Sequence, residues 1–152
     1  MKAIAYSIKP FEKEFLAIAN RKKHEITLIS NALDIETAMF ADGKDAAIVF
    51  TGDDLSAPVI EKLADLGIRY IVTRSLDTDH IDKTAAARFG IKLANIPSHP
   101  PLHVTLTSDI LQETASQTIR NLDLWQMNKC VGKACVCAGG CKAVVLDLEA
   151  AK

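Results

Sequence analysis

The sequence predicts an α/β protein with a flavodoxin-like three-layer sandwich, in which helices cover both faces of a five-stranded parallel sheet of strand order 2-1-3-4-5. Two observations predict this fold. Short apolar runs alternate with helical stretches through the first hundred residues, and the run 46–50 is almost wholly apolar, as expected for a strand covered on both faces. A long C-terminal helix follows the sheet.

The individual elements follow from local patterns taken in chain order. Strands are predicted at 2–7, 25–29, 46–50, 68–72 and 91–96. Helices are predicted at 10–21, 34–40, 57–66, 81–89 and 109–127, with caps or stops at Pro10, Asp34, Ser56, Gly67, Gly90 and Ser108. The last helix carries one apolar stripe, and 144–146 is predicted as a further edge strand.

Composition limits the classes of function. The chain has 152 residues, enough for one domain, with 18 basic and 19 acidic side chains. This balance gives no electrostatic footprint for nucleic acid or for an anionic membrane. No apolar run approaches the roughly 20 residues of a membrane span, and the first residues resemble a strand and not a signal segment. We therefore expect a cytoplasmic protein without nucleic-acid or membrane partners.

All four cysteines lie in one short segment, in the pattern C-x4-C-x-C-x3-C: Cys130, Cys135, Cys137 and Cys141. A disulfide scaffold would spread its cysteines along the chain. Four thiolates could hold zinc or an iron–sulfur cluster, although the spacing matches neither common pattern. A metal-binding or redox module, free thiols and a local disulfide therefore remain open.

Ligands of open α/β sheets bind beyond the carboxyl ends of the strands. The most polar loop there is 73–82, which is either a solvated loop with a helix cap from Asp79 or Asp82, or a ligand-binding loop of a regulatory domain. His99 and His103 follow the fifth strand, whereas His24 is predicted to be solvated.

Three site classes are excluded at these loops. A phosphoacceptor at Asp53 or Asp54 would need further acidic residues after the first strand to hold Mg²⁺, and that turn has none. The same turn lacks the Ser, Thr and Gly residues of a flavin phosphate loop, and the sequence has no G-x-G-x-x-G. A receiver, a flavin mononucleotide site and a dinucleotide site are therefore not predicted.

The stretch "TRSLDTDHIDKTAAARFGIKLANIPS" resembles the D-2-hydroxyacid dehydrogenases, and in particular the D-lactate dehydrogenases. That family carries R-S/N-x-G-x-D-x-I-D, followed by A-A-x-x-x-G-I-x-x-x-N-x-P. The stretches "MKAIAYSIKPFEKEFL" and "AAIVFTGDDLSAPVIEKLADLGIRYI" fit the same family, and "LTSDILQETASQTIRNLDLWQMNKC" is similar to its last helix.

The resemblance implies a single substrate domain, also called the catalytic domain, over residues 1–152. Its family N-terminal segment, 1–98, is joined at about 99–105 to the family C-terminal segment, 106–152. The NAD-binding Rossmann domain that normally lies between them is missing. The resemblance therefore implies NAD in the full-length enzymes, no cofactor in this chain, and no activity of this chain alone, because the family's catalytic Arg and Glu belong to the missing domain.

The resemblance also implies site residues. The backbone N–H groups of Leu76, Asp77 and Thr78 would hold the carboxylate of a 2-hydroxy or 2-oxo acid, with Asp77 in place of the family glycine. His99 stands where the family has Tyr, and His103 matches the catalytic His if one residue has been deleted. The exposed former interdomain face implies a homodimer or a swapped oligomer.

Overall fold

The computed structural model describes residues 1–101 and 104–137. Its sheet has five parallel strands in the order β2-β1-β3-β4-β5, which confirms the predicted fold and strand order. The strands are β1 (Lys2–Ala5), β2 (Glu25–Leu28), β3 (Ala46–Val49), β4 (Tyr70–Thr73) and β5 (Lys92–Ala94). Four of them lie inside their predicted runs, whereas β4 begins two residues later and ends one residue later than the predicted 68–72. Strand β3 is buried along its whole length.

In the described part of the chain, four α-helices connect or follow the strands: α1 (Lys13–Asn20), α2 (Ala57–Asp65), α3 (Lys83–Arg88) and α4 (Ser108–Gln126). A 3₁₀ turn, Pro10–Glu12, precedes α1. The predicted helix 34–40 is instead a 3₁₀ helix, Thr37–Ala41. The carboxylate of Asp34 accepts hydrogen bonds from the N–H groups of Glu36 and Thr37, and these bonds make the chain turn tightly before the helix. The helix itself has only five residues, a length typical of a 3₁₀ helix.

Two helix N-caps can be compared with those predicted from the sequence. Asp82, one of the two predicted candidates, caps α3 and accepts a hydrogen bond from the Ala85 N–H at 2.9 Å. For α4 the predicted cap, Ser108, is wrong by one residue. Thr107 has the extended backbone of a cap, and its Oγ1 accepts from the Ile110 N–H at 3.3 Å, so Ser108 is the first helical residue.

The hydrophobic core lies on both faces of the sheet. Alternate residues of β1 point to opposite faces, so Ile4 contacts the layer of α2 and α3 while Ala3 contacts the layer of α1 and α4. On the second face, Trp125 of α4 stacks on Tyr70 of β4 with 4.9 Å between ring centroids.

The segment after α4 covers the β5 edge of the sheet. Cys135 pairs antiparallel with Ala94, the Asn95 N–H donates to Ala134 O at 2.9 Å, and the Val136 N–H donates to Leu93 O at 3.1 Å. This pairing satisfies backbone groups that an edge strand would otherwise expose. The edge strand predicted at 144–146 lies outside the described residues.

His24 is buried, so the prediction that it is solvated is wrong. Arg21 and Lys22 adopt positive φ and turn the chain sharply before β2, which brings the imidazole against Met1 and Asp123. Within 1–101 and 104–137, no helix is long and apolar enough to cross a membrane.

Candidate active site at the carboxyl edge of the sheet

A cleft of about 420 Å³ opens at the carboxyl edge of the sheet. Its wall combines the turn after β1, the ends of β3 and β4, the segment after β5 and the first half of α4. These elements contribute Ser7, Lys9, Phe11, Glu12, Phe50, Thr51, Gly52, Arg74, His99, Leu106, Leu111 and Thr114. A cleft beyond the strand ends is the place where open α/β sheets bind ligands.

Arg74 lies at the base of this cleft and is 2% exposed. Its Nε and Nη2 donate to the Glu12 carboxylate at 2.8 and 3.4 Å, while Nη1 and Nη2 donate to the carbonyls of Tyr6 and Ser7 at 3.0 and 3.1 Å. The guanidinium also lies 5.4 Å from the centroid of the Phe50 ring. Arg74 therefore fixes the β1 turn to β4, and four of its five N–H donors are engaged within the domain.

Asp53, the first residue of the Asp53-Asp54 pair that was considered above as a phosphoacceptor, has a structural role and fixes the neighbouring loops. Its carboxylate accepts from Ser7 Oγ at 2.5 Å and from the N–H groups of Leu33 and Phe50 at 2.9 and 2.8 Å. The residue is 3% exposed. Asp53 therefore holds together the segments that follow β1, β2 and β3, a role that the sequence pattern did not reveal.

Of the two predicted histidines, His99 lies in the cleft wall. Its ring is edge-on to Phe50, with centroids 6.2 Å apart, and is 5% exposed. Nδ1 lies 2.8 Å from the Pro100 carbonyl, which can only accept, so Nδ1 carries the hydrogen. Nε2 is then the acceptor of the neutral ring. His103 lies outside the described residues, and its catalytic role stays a prediction.

The predicted carboxylate-binding residues form a loop after β4, which we name the 76–78 loop: Leu76, Asp77 and Thr78. Leu76 is 43% exposed and Asp77 is also exposed. Among the described residues, none accepts a hydrogen bond from the backbone N–H groups of these three residues. Asp77 has no positive φ, so an aspartate here adds no backbone strain. Three adjacent amides are therefore available to an anion.

Four polar side chains lie beneath the 76–78 loop, and we name them the inner cluster: Thr73, Ser75, His80 and Asn95. Asn95 Nδ2 donates to Leu76 O at 2.9 Å, and Ser75 Oγ donates to Asp77 O at 2.8 Å. Thr73 Oγ1 lies 2.6 Å from Ser75 Oγ and 3.2 Å from His80 Nε2. Burial lowers the pKa of His80, although nearby carboxylates, Asp77 first among them, oppose the shift.

The sequence singled out the 76–78 loop but not Ser75 or Asn95, which support it from inside. Polar residues within two positions of the ends of two apolar strands were the signal that could have found them. Parallel strands end at one edge of the sheet, and β4 and β5 are neighbours, so their next residues meet.

Three of the four predicted metal ligands lie in the described segment after α4, and the fourth, Cys141, lies outside it. Cys135 is buried and Cys130 is half-buried. Cys137 Sγ accepts from the Leu93 N–H at 3.2 Å. Within 1–101 and 104–137, no three His, Cys, Asp or Glu side chains form a group that could hold a metal ion. The four-cysteine site stays a prediction, which elemental analysis of the reduced protein tests.

Comparison with known proteins gives a family for these features. Residues 3–135 match the model of the D-isomer specific 2-hydroxyacid dehydrogenase catalytic domain. An aromatic 2-oxoacid reductase of Clostridium sporogenes is 33% identical over 106 residues, which are 69% of this chain and 32% of the relative. The chain therefore matches about a third of the length of such relatives.

Solved structures give the same result. The apo-structure of D-lactate dehydrogenase from Escherichia coli has a TM-score of 0.64 and 33% identity, covering 66% of this chain and 32% of that one. A D-lactate dehydrogenase from Lactobacillus jensenii, solved with NAD⁺, has a TM-score of 0.59 and 28% identity, covering 66% and 31%. The described fold is thus similar to about a third of each of these enzymes.

Proposed function

The chain belongs to the D-isomer specific 2-hydroxyacid dehydrogenase family through its catalytic domain, and we propose that it binds the carboxylate of a 2-hydroxy or 2-oxo acid of the D-lactate type. One observation carries this proposal. The backbone N–H groups of Leu76, Asp77 and Thr78 are adjacent, lie beyond a strand end, and have no acceptor within the described chain. Successive amides of this kind form anion-binding concavities.

The cleft supports a small substrate with an apolar end. Phe11, Phe50 and Leu111 give its wall apolar surface, and four of the five Arg74 N–H donors are engaged by Glu12 and by carbonyls. The three open amides of the 76–78 loop therefore match a substrate carboxylate better than Arg74 does, and this loop begins two residues after Arg74, outside the residues that line the cleft. His99 lines the cleft, and because its Nδ1 hydrogen is on Pro100 O, its Nε2 is the nitrogen that we propose as the acceptor for a substrate hydroxyl.

The residues after β1 do not fit NAD, the cofactor of the full-length family. A dinucleotide site needs free amides between the first strand and the first helix to cradle phosphate. Here the N–H groups of Ser7 and Ile8 donate to the carbonyls of Asn31 and Ile29 at 2.8 and 3.0 Å. We therefore derive no hydride step within this chain, and the chain by itself has no dehydrogenase activity in our proposal.

The domain boundaries of the proposal are those of the sequence: 1–98 joined at 99–105 to 106–152. Contacts across the junction support one packed unit. Gln117 Nε2 of α4 donates to Ser98 Oγ at 2.8 Å, and Asn121 Nδ2 donates to Asn95 O at 3.3 Å. A separate cofactor domain, in the same or another chain, completes the enzyme.

We also propose self-association through the mouth of the cleft. Phe11 and Leu106, which line the cleft, are 53% and 37% exposed, and Val104, two residues before Leu106 in the chain, is 38% exposed. These apolar side chains are a surface for a cofactor domain or for a second copy of the chain, so the protein is a homodimer or a swapped oligomer when that domain is absent. Cytoplasmic localisation is part of the proposal and is supported by cysteines that are clustered and not spread.

The experiment combines an assay with a binding measurement. We expect the purified 152-residue chain to oxidise NADH with pyruvate no faster than buffer does. We expect pyruvate, but not the uncharged pyruvamide, to shift the ¹H–¹⁵N signals of Leu76, Asp77 and Thr78 saturably. Turnover above background would overturn the inactivity, and equal shifts with both compounds, or none, would overturn carboxylate binding.

A further inference from the structure

We propose that Asn95 and Ser75 are positioning residues that turn the N–H groups of Asp77 and Thr78 outward, toward an anion. The inference rests on the proposed carboxylate site and adds the side chains that orient it. Both residues are buried, with Asn95 8% and Ser75 1% exposed, and both donate to carbonyls of the 76–78 loop from inside the domain.

The geometry of the peptide bond converts these inner contacts into outer donors. A trans peptide is planar, and its C=O and N–H point in opposite directions. Asn95 Nδ2 draws Leu76 O inward at 2.9 Å, so the N–H of the same peptide plane, which belongs to Asp77, points outward. Ser75 Oγ draws Asp77 O inward at 2.8 Å, so the N–H of Thr78 points outward in the same way.

The third carbonyl of the loop is also held. Thr78 O accepts from the Ile81 N–H at 3.0 Å and from Lys83 Nζ at 3.1 Å. Three successive carbonyls, those of Leu76, Asp77 and Thr78, are thus engaged, while the amides of the same residues have no acceptor in the described chain. This division between engaged carbonyls and open amides is what an anion-binding loop requires.

The hydroxyl and imidazole hydrogens of the inner cluster can be placed by counting donors. Ser75 gives its only hydroxyl hydrogen to Asp77 O, so its Oγ must accept from Thr73 Oγ1 at 2.6 Å. Thr73 Oγ1 must then accept from His80 Nε2 at 3.2 Å. A directed chain of donors from His80 through Thr73 and Ser75 therefore ends on the loop carbonyl.

Asn95 is held in place by backbone contacts on both sides. Its N–H donates to Ala134 O at 2.9 Å, and its carbonyl accepts from Asn121 Nδ2. Its Oδ1 is buried and has no partner among the described residues. An unpaired buried acceptor is unfavourable, and a leucine at this position would fill the space without one. The amide is therefore explained by its donor, Nδ2, which binds the Leu76 carbonyl.

The test uses two substitutions in the full chain, N95D and S75A, with N20D as the matched control. N95D replaces the donor by a carboxylate oxygen facing Leu76 O, and S75A removes the hydroxyl under Asp77 O. N20D also removes one side-chain N–H that donates to a backbone carbonyl, that of His24, but lies far from the loop in the chain. Each variant is first checked for a dispersed ¹H–¹⁵N spectrum.

The first readout needs no ligand and is the residual dipolar coupling of the loop N–H vectors. We expect N95D to change the coupling of Asp77 and S75A to change that of Thr78, with N20D changing neither. Unchanged couplings in a folded S75A and a folded N95D would overturn the positioning role. If N95D does not fold, S75A alone decides the question.

The second readout is pyruvate affinity from the amide shifts. We expect both variants to bind about tenfold more weakly than the parent chain, the equivalent of one lost hydrogen bond, and N20D to bind as the parent does. The two proposals fail separately. A parent chain that does not bind pyruvate overturns the carboxylate site, whereas couplings that do not respond to substitution overturn the positioning role.

Discussion

His24 Nε2 lies 2.7 Å from Asp123 Oδ1, which joins the start of β2 to α4 across 99 positions of sequence. The amino group of Met1 lies 3.2 Å from His24 Nδ1 and can only donate, so Nδ1 is the acceptor and Nε2 carries the hydrogen. The second Asp123 oxygen accepts from Lys23 Nζ at 2.7 Å. The buried imidazole therefore accepts from the Met1 amino group and donates to a carboxylate on α4.

Removing this acceptor destabilises the fold. In D123A the Nε2–H of His24, whose side chain is 1% exposed, loses its partner. We expect the free energy of unfolding, measured with urea near neutral pH, to fall by about 1–3 kcal/mol, the cost of an unsatisfied buried donor. E61A, which truncates an exposed carboxylate of α2, is the control, and an equal loss in both variants would contradict the prediction.

The same pair, His24 and Asp123, makes the stability of the fold depend on pH in acid. Burial raises the pKa of Asp123, but hydrogen bonds from Lys23 and His24 outweigh it and hold that pKa below the usual 3.8. A carboxyl group with a depressed pKa stabilises the fold above its unfolded pKa, and this contribution is lost as the pH falls through the folded value. The difference between parent and D123A should therefore shrink below pH 3.8.

The Arg74 pair gives a second prediction. R74K keeps the positive charge, but one ammonium cannot span the Glu12 carboxylate and the carbonyls of Tyr6 and Ser7 as the guanidinium does. We expect a loss of about 1–3 kcal/mol in the free energy of unfolding, because buried acceptors lose their donors. R69K changes an exposed arginine and should cost under about 0.5 kcal/mol. A similar loss in R69K would refute the special role of Arg74.

The fold was predictable because its signal is repeated. Four strands are largely apolar runs and β2 alternates polar with apolar residues. Five such segments separated by helical stretches leave few alternatives to a parallel sheet. Ends of elements were less predictable, since Thr107 and Ser108 are both good caps and only backbone geometry decides between them. The type of helix after Asp34 was also hard to predict, because the Asp34 side chain accepts from the N–H groups of Glu36 and Thr37 and forms a tight turn there.

The site was only partly predictable, because burial of polar groups depends on partners far away in sequence. His24 lies in a basic connector, and no residue near it in the sequence indicates that Asp123 is its partner. Asn95 is likewise explained by Leu76 O, 19 positions earlier. The 76–78 loop was predicted from the resemblance to a family. A family motif points to residues expected to contact a ligand, and it is less informative about the buried residues that support them.

His80 gives a pH dependence near neutrality. Burial holds its pKa below the usual 6.5 despite the opposing charges of Asp77 and Asp53. A histidine with a depressed pKa favours folding above its unfolded pKa, so stability should be full above pH 6.5 and decline as the pH falls through the folded value. H80Q keeps a donor for Thr73 but does not titrate.

Urea unfolding from about pH 7 down to about pH 5 checks the prediction for His80, since this range spans the unfolded pKa of a histidine. We expect the free energy of unfolding of the parent chain to decrease more steeply than that of H80Q. The imidazole proton signals of His80 give the folded pKa directly. A folded pKa at or above 6.5, or parallel slopes in the two proteins, would disprove the role of burial.

Asp77 should weaken the anion site that its own backbone helps to form. Its carboxylate is exposed and accepts from the Asp79 N–H at 2.8 Å, which keeps a negative charge beside the open amides. D77N keeps the acceptor and removes the charge. Two unit charges about 4 Å apart in water interact by about 1 kcal/mol, so we expect pyruvate to bind about fivefold more tightly to D77N.

The control for this charge effect is D65N, which removes one negative charge from the exposed end of α2. Pyruvate affinity, measured from the amide shifts of Thr78, should be unchanged in D65N and higher in D77N. Added salt should reduce the difference, because exposed charges are screened within about 10 Å at 0.1 M ionic strength. Equal affinities of D77N and the parent chain at low salt would mean that the substrate carboxylate does not approach the 76–78 loop.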